Sequence, residues 1–439
     1  MQKCEIKLAS NLGKSRYQNS LNHGKKIEQV IPGGVDSPFR AFIEVGGQAI
    51  FFEKALGSKL YDIDKNIYID YLGAWGPAIL GHCPPLVVQA CQETLALGPV
   101  FGAPHILELE MALAVNSACP SIEQMRFVSS GTEAVMSAIR LARGYSSREK
   151  VIMFEGGYHG HSDSTLASSG HQSSSGIPGG AKSATLLAEY NNLESVAALF
   201  EAHRGEVGSV IVEPVCGSMG VVAPAVGFLQ GLRRLCDQYN AVLIFDEVIT
   251  GFRLARGGAQ ELYQVKADLT CFGKALGGGM PIGAYGGSKS IMQHLIPNGD
   301  VYQAGTFSGN PVTMAGGIAT LRQLADSNVY HTLEARSAQL FKGLAPTIAA
   351  QNWPIQLQRV GSMFSILFTD KPVNNYQDSL KIDHEKFSIF FHELLDNGVY
   401  MPPSGVDAAC VSAAHSESDI EETVAIMIAA LHKVFGPQQ

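Results

Sequence analysis

The stretch that most constrains the fold is a short apolar run, residues 241–245, which ends in Asp246 and Glu247. Such a run, bounded by polar residues, is typical of a strand buried on both faces of a sheet. Strands of this kind belong to α/β proteins, in which helices cover a mostly parallel sheet. Ligands of open α/β sheets bind beyond the carboxyl ends of the strands, so Asp246 lies where a site is expected. An Asp-Glu pair after a strand is also a common helix cap.

A second feature is Lys274, which stands between the apolar Cys271 and Phe272 and the glycines at 277–279. A lysine that is kept in apolar surroundings loses part of its preference for the charged form, and its amine becomes a usable nucleophile. Such an amine can form a Schiff base with an aldehyde cofactor, and pyridoxal phosphate is the candidate. Taken alone, a glycine-rich loop with a lysine is ordinarily a turn.

Two further segments complete a constellation. The sequence SSGTEA at 129–134 follows the strand-like residues 125–128 and opens a helical run through Arg143. Hydroxyls and free backbone amides therefore converge at a helix N-terminus, which predicts a phosphate site. Tyr158 lies on a loop flanked by glycines, where its ring could stack on a planar heterocycle. Together, these features predict a binding site for pyridoxal phosphate.

Charge and apolar patterning exclude other classes of partner. The net charge of −8 argues against nucleic acid, which would favour a basic patch. No run approaches the eighteen apolar residues that a membrane span needs, and the first twenty residues contain no apolar signal segment. We therefore expect a cytoplasmic protein with a small-molecule substrate and no membrane contact.

Cysteine and histidine spacing predicts no metal. The eight cysteines are scattered without a CxxC pair, so neither a disulfide framework nor a zinc site is expected. This usage fits a reducing compartment. His159 and His161 form an H-x-H pair, but a third ligand at sensible spacing is missing. Support of the cofactor and a plain surface role both stay open for these histidines.

Several segments carry a resemblance to a known family. They are PGGVDSPFRAF at 32–42, WGP and ILGH within 75–82, FGAP at 101–104, FDEV and TGFR within 245–253, and YQAGTFSGNP at 302–311. With these segments the chain resembles the class III aminotransferases, pyridoxal-phosphate enzymes of fold type I, from about residue 25 to about residue 430. Within that class, the first and last segments make it most similar to the glutamate-1-semialdehyde 2,1-aminomutase family.

The resemblance implies roles for residues around the cofactor ring. Lys274 would carry the cofactor and then act as the catalytic base and acid that moves the substrate proton. Asp246 would pair with the pyridine nitrogen and keep it protonated. Tyr158 would stack on one face of the ring, and Val248 would press on the other.

The phosphate ligands that the resemblance implies come from two subunits. One subunit would supply Ser130, Gly131 and Thr132. Gly305 and Thr306 would reach the phosphate from a neighbouring subunit. The resemblance therefore implies a homodimer with shared active sites.

The resemblance also places residues at the substrate, namely Ser37, Arg40, Trp75, Ser218 and Asp407. Arg40 would hold a carboxylate by a bidentate contact, although an arginine after a Pro-Gly-Gly turn is usually a surface residue. Trp75 would cover the pocket, although a tryptophan is most often core filler. Ser218 stands where the family usually has asparagine, and Asp407 where it usually has glutamate, so the identity of the substrate stays open.

The implied activity is an intramolecular amino transfer. It turns (S)-4-amino-5-oxopentanoate, which is glutamate-1-semialdehyde, into the tetrapyrrole precursor 5-aminolevulinate, starting from the pyridoxamine form of the cofactor. The alternatives are an intermolecular class III ω-aminotransferase or an aminomutase for another amino acid. A non-enzymatic regulatory protein is disfavoured because Lys274 and Asp246 are both present. The Ser/Gly-rich segment 167–180 is either a slack surface loop or a lid.

The order of apolar segments predicts three parts. An N-terminal arm, a substrate segment and a small antiparallel meander occupy 1–75, a large α/β domain occupies 76–320, and a small α+β domain occupies 321–439. The expected strands of the large domain lie near 151–154, 209–213, 241–246 and 269–272, with a helix near 226–239. Later helices are expected near 384–397 and 417–434.

Overall fold

The computed structural model describes residues 16–166 and 174–436. In chain order the strands are β1 (Phe52–Leu56), β2 (Lys59–Asp62), β3 (Ile67–Asp70), β4 (Gln124–Val128), β5 (Lys150–Phe154), β6 (Thr185–Ala188), β7 (Val207–Val212), β8 (Val242–Glu247), β9 (Leu269–Gly273), β10 (Gly283–Gly287), β11 (Gln356–Val360), β12 (Met363–Leu367), β13 (Val399–Tyr400) and β14 (Ala409–Cys410). The helices are α1 (Gln18–Ile27), α2 (Pro85–Leu97), α3 (Ile106–Ala118), α4 (Gly131–Ser146), α5 (Asp163–Leu166), α6 (Gly179–Ser183), α7 (Leu193–Ala202), α8 (Phe228–Tyr239), α9 (Gly258–Tyr263), α10 (Lys289–Met292), α11 (Pro311–Leu324), α12 (Ser327–Ala350), α13 (Tyr376–Ser379), α14 (His384–Asp396) and α15 (Glu417–Phe435).

The central sheet has seven strands in the order β4-β10-β9-β8-β7-β5-β6. All neighbouring pairs from β9 to β6 are parallel, and β10 runs antiparallel to both of its neighbours. The prediction of a mostly parallel sheet is therefore confirmed. Because the parallel strands end at one edge, the residues that follow β5, β7, β8 and β9 come together there.

The sheet is covered on both faces, as its apolar strands require. Every residue of β8 is buried. Leu243 and Phe245 pack in the same core cluster as Leu229 and Leu232 of α8. The alternate residues Val242 and Ile244 of β8 pack in a second cluster, with Ala134 and Val135 of α4. Successive side chains of a strand point to opposite faces, so α8 and α4 lie on opposite sides of the sheet.

The predicted strand and helix positions of the large domain are confirmed to within a few residues, but two strands of the central sheet, β6 and β10, were missed. Strand β10 has the sequence GAYGG, which lacks the apolar run of a buried strand. A Cβ atom at Gly283 would lie 2.0 Å from the carbonyl oxygen of Ser130, and one at Gly287 would lie 2.0 Å from that of Asp268. Close backbone approach, rather than side-chain packing, therefore selects glycine in this strand.

Two small sheets flank the central one. The predicted meander is present as β1, β2 and β3, and β13 extends it by pairing parallel with β3. Strands β11, β12 and β14 form the other small sheet, against which α12 and α15 pack in the same core cluster. Helices α14 and α15 match their predicted positions. The domain limits at 75 and 320 stay a prediction.

Two predicted features fall wholly or partly outside the described residues. The N-terminal arm is described only from residue 16, and the Ser/Gly-rich segment only from residue 174. Within the described ranges, no helix has both the length and the apolar character that crossing a membrane would demand.

Candidate active site

A cavity of about 380 Å³ opens at the carboxyl edge of the central sheet. We call it the Lys274 cavity. Seven of the predicted site residues line it, namely Ser130, Gly131, Thr132, Tyr158, Asp246, Val248 and Lys274. These residues come from four separate segments of the chain, so the fold brings together the constellation that the sequence predicts.

Lys274 enters the cavity directly after β9 and has a left-handed φ of 45°. A lysine rarely adopts this conformation, and such strain is concentrated at functional sites. Removal of water lowers the pKa of Lys274 below its usual value, although the charges of Glu213 and Asp246 oppose the shift. The sequence suggested purely apolar surroundings, whereas the structure adds buried carboxyl groups beside the amine.

Asp246 is 5% exposed and is held from two sides. Its Oδ2 lies 2.7 Å from Nδ1 of His159, and its Oδ1 accepts a hydrogen bond from the backbone amide of Val248 at 3.1 Å. Burial lowers the pKa of His159, but the hydrogen bond and the charge of Asp246 outweigh this and raise it above its usual value. An aspartate that is fixed in this way can hold a cationic ring nitrogen in the cavity.

The helix α4 begins at the floor of the cavity. Ser130 is its N-cap, and the Ser130 hydroxyl accepts a hydrogen bond from the amide of Glu133 at 3.2 Å. The amides of Gly131 and Thr132 lie in the first turn, where an α-helix has no internal acceptor for its amides. A Cβ atom at Gly131 would lie 3.0 Å from a methyl group of Val248, so a larger residue here would press on the cavity wall. The geometry suits a phosphate group.

Tyr158 contributes to the wall of the cavity and begins a chain of rings. Its ring centroid lies 5.6 Å from that of Phe39, which lies 5.6 Å from that of Trp75. Phe39 was not among the predicted site residues. Phe39 lies between Trp75 and Tyr158, and this position could not be predicted from spacing because the contacts join segments that are far apart in the chain.

Glu213 ends a strand-like run before Pro214, where the sequence leaves a structural role and a place in the pocket both open, and it lines the Lys274 cavity. It follows β7, is 5% exposed, and accepts hydrogen bonds from the amides of Tyr158 at 3.0 Å and Gly217 at 3.1 Å. Burial raises the pKa of its carboxyl group. Its position at a strand end, which it shares with Asp246, is the sequence signal for a place in the pocket.

The predicted substrate residues Arg40 and Trp75 line a second cavity of about 410 Å³, which we call the Arg40 cavity. Lys274 does not line it. The two cavities are neighbours, because Gly76 packs against Lys274: a Cβ atom at Gly76 would lie 3.1 Å from Cδ of the lysine. Arg40 is exposed, and the phenyl ring of Phe39 stands between Trp75 and Tyr158.

The other predicted substrate residues line neither cavity. Ser37 precedes the 3-10 turn Pro38–Arg40, and Ser218 is buried in the turn after β7. Asp407 is close enough to Lys274 for their charges to interact. Burial, followed by the negative charge of Glu44, raises the pKa of Asp407 to about 7.

Gly305 and Thr306 are exposed and lie outside the lining of the Lys274 cavity of their own chain. His159 and His161 have partners in the protein. Nδ1 of His161 lies 3.2 Å from the hydroxyl of Thr132, and His159 contacts Asp246 as described above. Both histidines therefore lie beside predicted cofactor residues.

Comparisons with known proteins agree with this site. The family model "Aminotransferase class-III" matches residues 42–431. The chain is 50% identical over 417 residues to glutamate-1-semialdehyde 2,1-aminomutase 2 of Brevibacillus brevis (strain 47 / JCM 6285 / NBRC 100599), covering 93% of this chain and 97% of that protein.

Solved structures show the same fold. An ω-transaminase from Sphaerobacter thermophilus superposes with a TM-score of 0.88 at 30% identity, covering 95% of this chain and 98% of that one. A glutamate-1-semialdehyde aminomutase from Pseudomonas aeruginosa PAO1 superposes with a TM-score of 0.86 at 23% identity, covering 96% of each chain.

Fold and site therefore define a pyridoxal-phosphate transferase of fold type I. More particularly, the chain belongs to the class III aminotransferase family. The cofactor of this family is pyridoxal phosphate, and the residues of the Lys274 cavity fit it. The amine of Lys274, the carboxylate of Asp246 and the first turn of α4 offer partners for an aldehyde, a ring nitrogen and a phosphate.

Proposed function

We propose that this chain converts (S)-4-amino-5-oxopentanoate into 5-aminolevulinate by moving an amino group within one molecule, as a step of tetrapyrrole biosynthesis. The observation that carries the proposal is the 50% identity to the Brevibacillus aminomutase, because it extends over 97% of that protein. The Lys274 cavity supports it by supplying the groups that such a reaction needs.

Bound pyridoxal phosphate supplies an aldehyde that takes up amino groups and a ring that accepts electrons. Lys274 holds the cofactor and moves a proton at the reacting carbon of the substrate. Its lowered pKa favours the neutral amine, which is the form that can take up a proton near neutral pH. Asp246, oriented by His159, holds the proton on the ring nitrogen.

Binding of the cofactor is divided among the other residues of the cavity. The backbone amides of Gly131 and Thr132 and the hydroxyl of Ser130 bind the phosphate at the N-terminus of α4. Tyr158 and Val248 position the ring from its two faces. The walls formed by these side chains also exclude water from the amine of Lys274.

Substrate recognition falls to the Arg40 cavity. Arg40 binds the carboxylate of the substrate, because its planar guanidinium can donate two parallel hydrogen bonds. Trp75 covers the bound chain, with Ser37 beside it. Ser218 and Asp407 are further substrate-binding residues of the proposal, although they lie outside the lining of both cavities. The charge of Asp407 interacts with that of Lys274.

We also propose a homodimer in which Gly305 and Thr306 complete the phosphate site of the partner subunit. Large apolar side chains are exposed near these residues, namely Leu97, Phe101, Ile106, Leu109, Leu113, Tyr302 and Phe307. They belong to one surface, because His105 contacts the carbonyl oxygen of Gly309 at 2.6 Å and Asn310 donates to that of Pro99 at 2.7 Å. Exposed apolar patches of this kind mark interfaces.

A cytoplasmic location is part of the proposal. The seven cysteines within the described ranges are all unpaired, which suits a reducing compartment. A protease-free fractionation that finds the protein with membranes would contradict this location.

A second candidate is an intermolecular ω-aminotransferase. It is favoured by one observation: the ω-transaminase structure is 30% identical to this chain, whereas the aminomutase structure is 23% identical. An enzyme of this kind needs an external amino donor and an amino acceptor in every cycle.

The two candidates are separated by supplying glutamate-1-semialdehyde as the sole substrate to purified, cofactor-loaded protein. An aminomutase produces 5-aminolevulinate over many turnovers. A single turnover that resumes only after an amino donor is added would establish the aminotransferase instead. Absorbance spectra with and without 4,5-diaminopentanoate report whether the diamine converts the cofactor between its pyridoxal and pyridoxamine forms.

A further inference from the structure

The loop between β3 and α2 that carries Trp75 has an unusual backbone. Four successive residues have left-handed φ angles: 54° at Gly73, 55° at Ala74, 65° at Trp75 and 112° at Gly76. Two of them have side chains, and L-residues with side chains adopt this conformation only when their surroundings enforce it. The loop 73–76 must therefore be held at both ends.

Its first end is held by Asp70, a buried residue at the end of β3. The Asp70 carboxylate accepts hydrogen bonds from the amides of Leu72 at 2.9 Å and Gly73 at 3.2 Å. Nε2 of His82 lies 2.6 Å from the same carboxylate. These contacts fix where the loop begins.

Its second end is held by Arg253, whose side chain donates a hydrogen bond to the carbonyl oxygen of Gly76. Arg253 is 1% exposed and also donates to the hydroxyl of Ser362 at 3.1 Å and to the carbonyl oxygen of Val411 at 3.4 Å. In the described part of the chain, it has no carboxylate within ion-pair distance. A guanidinium that is buried against neutral oxygens alone is costly, so its presence requires a compensating role.

The loop 73–76, which Arg253 contacts at Gly76, lies beside both cavities. Gly76 packs on the side chain of Lys274, and the indole of Trp75 packs against Phe39, which in turn packs on Tyr158. Arg253 belongs to the segment that directly follows β8, and Asp246 lies at the end of that strand. The same segment therefore supports both the residue that holds the cofactor nitrogen and the loop that covers the substrate.

We propose that Arg253 is a positioning residue that keeps the loop 73–76 in its left-handed conformation and so sets the place of the Trp75 indole relative to Lys274. The inference rests on the proposed function only in taking Trp75 as part of the substrate pocket. Arg253 itself lines neither cavity.

Tryptophan fluorescence tests the inference without any substrate. The chain has two tryptophans, so Trp353→Phe leaves Trp75 as the single reporter. In full-length, cofactor-loaded protein with this background, we compare Arg253→Lys and Arg253→Met with Arg256→Lys and Arg256→Met. Arg256 is a matched control, because it lies in the same segment but is exposed and contacts Ser117.

Released from its second end, the loop relaxes and exposes the indole, so the acrylamide quenching constant of Trp75 rises about twofold or more in the Arg253 variants. The Arg256 variants keep the wild-type constant. Loss of a buried guanidinium can unfold the protein, so Arg253→Lys is the decisive variant. Lysine keeps the charge and the aliphatic stem but cannot hydrogen-bond to all three acceptors at once.

A second measurement reports on Lys274, which Gly76 of the loop contacts. The pH titration of the cofactor absorbance reports on the Lys274 side chain, and it shifts in Arg253→Lys but not in Arg256→Lys. Folded Arg253→Lys protein with unchanged quenching and an unchanged titration would overturn the inference. Both readouts use the resting protein, so they stand even if the glutamate-1-semialdehyde assay shows no aminomutase activity.

Discussion

The two cavities of this protein are built in different ways. The Lys274 cavity is formed by strand ends and a helix N-terminus, and its polar side chains are buried and held by hydrogen bonds, as Asp246 is by His159 and Val248. The Arg40 cavity is formed largely by turns and loops, and Arg40 itself is exposed.

The difference teaches where the chemistry and the selectivity of the enzyme reside. Residues on rigid elements keep one geometry, which the cofactor requires in every turnover. Loops tolerate substitution, so a family can change its substrate there without losing its cofactor. We expect mutations in the Lys274 cavity to abolish chemistry and mutations in the Arg40 cavity to change substrate affinity.

The largest effect is expected from Lys274→Ala, which removes the amine that we propose as the carrier of the cofactor and the group that moves the proton. Turnover should fall on the order of 10⁴-fold or more, as for other groups that act as nucleophile and base. Borohydride treatment followed by peptide mapping should find no cofactor on this variant. Lys289→Ala, at an exposed lysine, is the control. Cofactor recovered on a different lysine would show that Lys274 has been assigned wrongly.

Asp246→Asn should have the next largest effect, because it removes a charge but keeps the shape of the side chain. We expect kcat to fall by about 10²–10³-fold, which corresponds to roughly 3–4 kcal/mol of lost electrostatic stabilisation. The absorbance of the bound cofactor should change with it, whereas Asp237→Asn at an exposed position should change neither. A near-normal kcat would mean that another group holds the ring nitrogen.

The sequence predicted the first cavity better than the second. Lys274 follows β9, Asp246 lies at the end of β8 and Gly131 opens α4, so apolar runs and glycines mark them locally. The relation of Arg40 to Trp75 depends instead on contacts between distant segments, such as Arg253 with Gly76, which no local pattern encodes. Strand β10 was missed for the same reason, because its glycines are required by close contacts with backbone that is distant in the chain.

Arg40→Lys tests the second cavity. The ammonium keeps the charge but loses the planar fork, so KM should rise about tenfold while kcat changes less. Steady-state kinetics with glutamate-1-semialdehyde measure both constants, and Arg234→Lys at an exposed arginine should leave both unchanged. An unaltered KM would place the carboxylate of the substrate outside the Arg40 cavity.

The smallest effect concerns Asp407, whose pKa is raised to about 7 in the folded protein. The unfolded chain releases this proton near pH 4, so the stabilisation from the bound proton is fully present below that pH and is lost as the pH rises through about 7. Asp407→Asn should flatten this decline by roughly 1–2 kcal/mol.

Urea unfolding at pH 5 and pH 8 measures the decline in wild-type protein and in Asp407→Asn. Asp370→Asn, at an exposed aspartate, should keep the wild-type slope. If the Asp407→Asn slope were also that of the wild type, the carboxyl group of Asp407 would titrate equally in the folded and unfolded chains.

The pairing of β13 with β3 has a consequence for folding of the nascent chain during translation. Val399 pairs with Ile69, about 330 residues earlier in the chain, so the meander of β1, β2 and β3 lacks this strand until those intervening residues have been synthesised. At the usual pace of translation this interval lasts roughly 20–60 s. The sheet beside the loop 73–76 therefore gains its fourth strand only after every strand of the central sheet has left the ribosome's active centre.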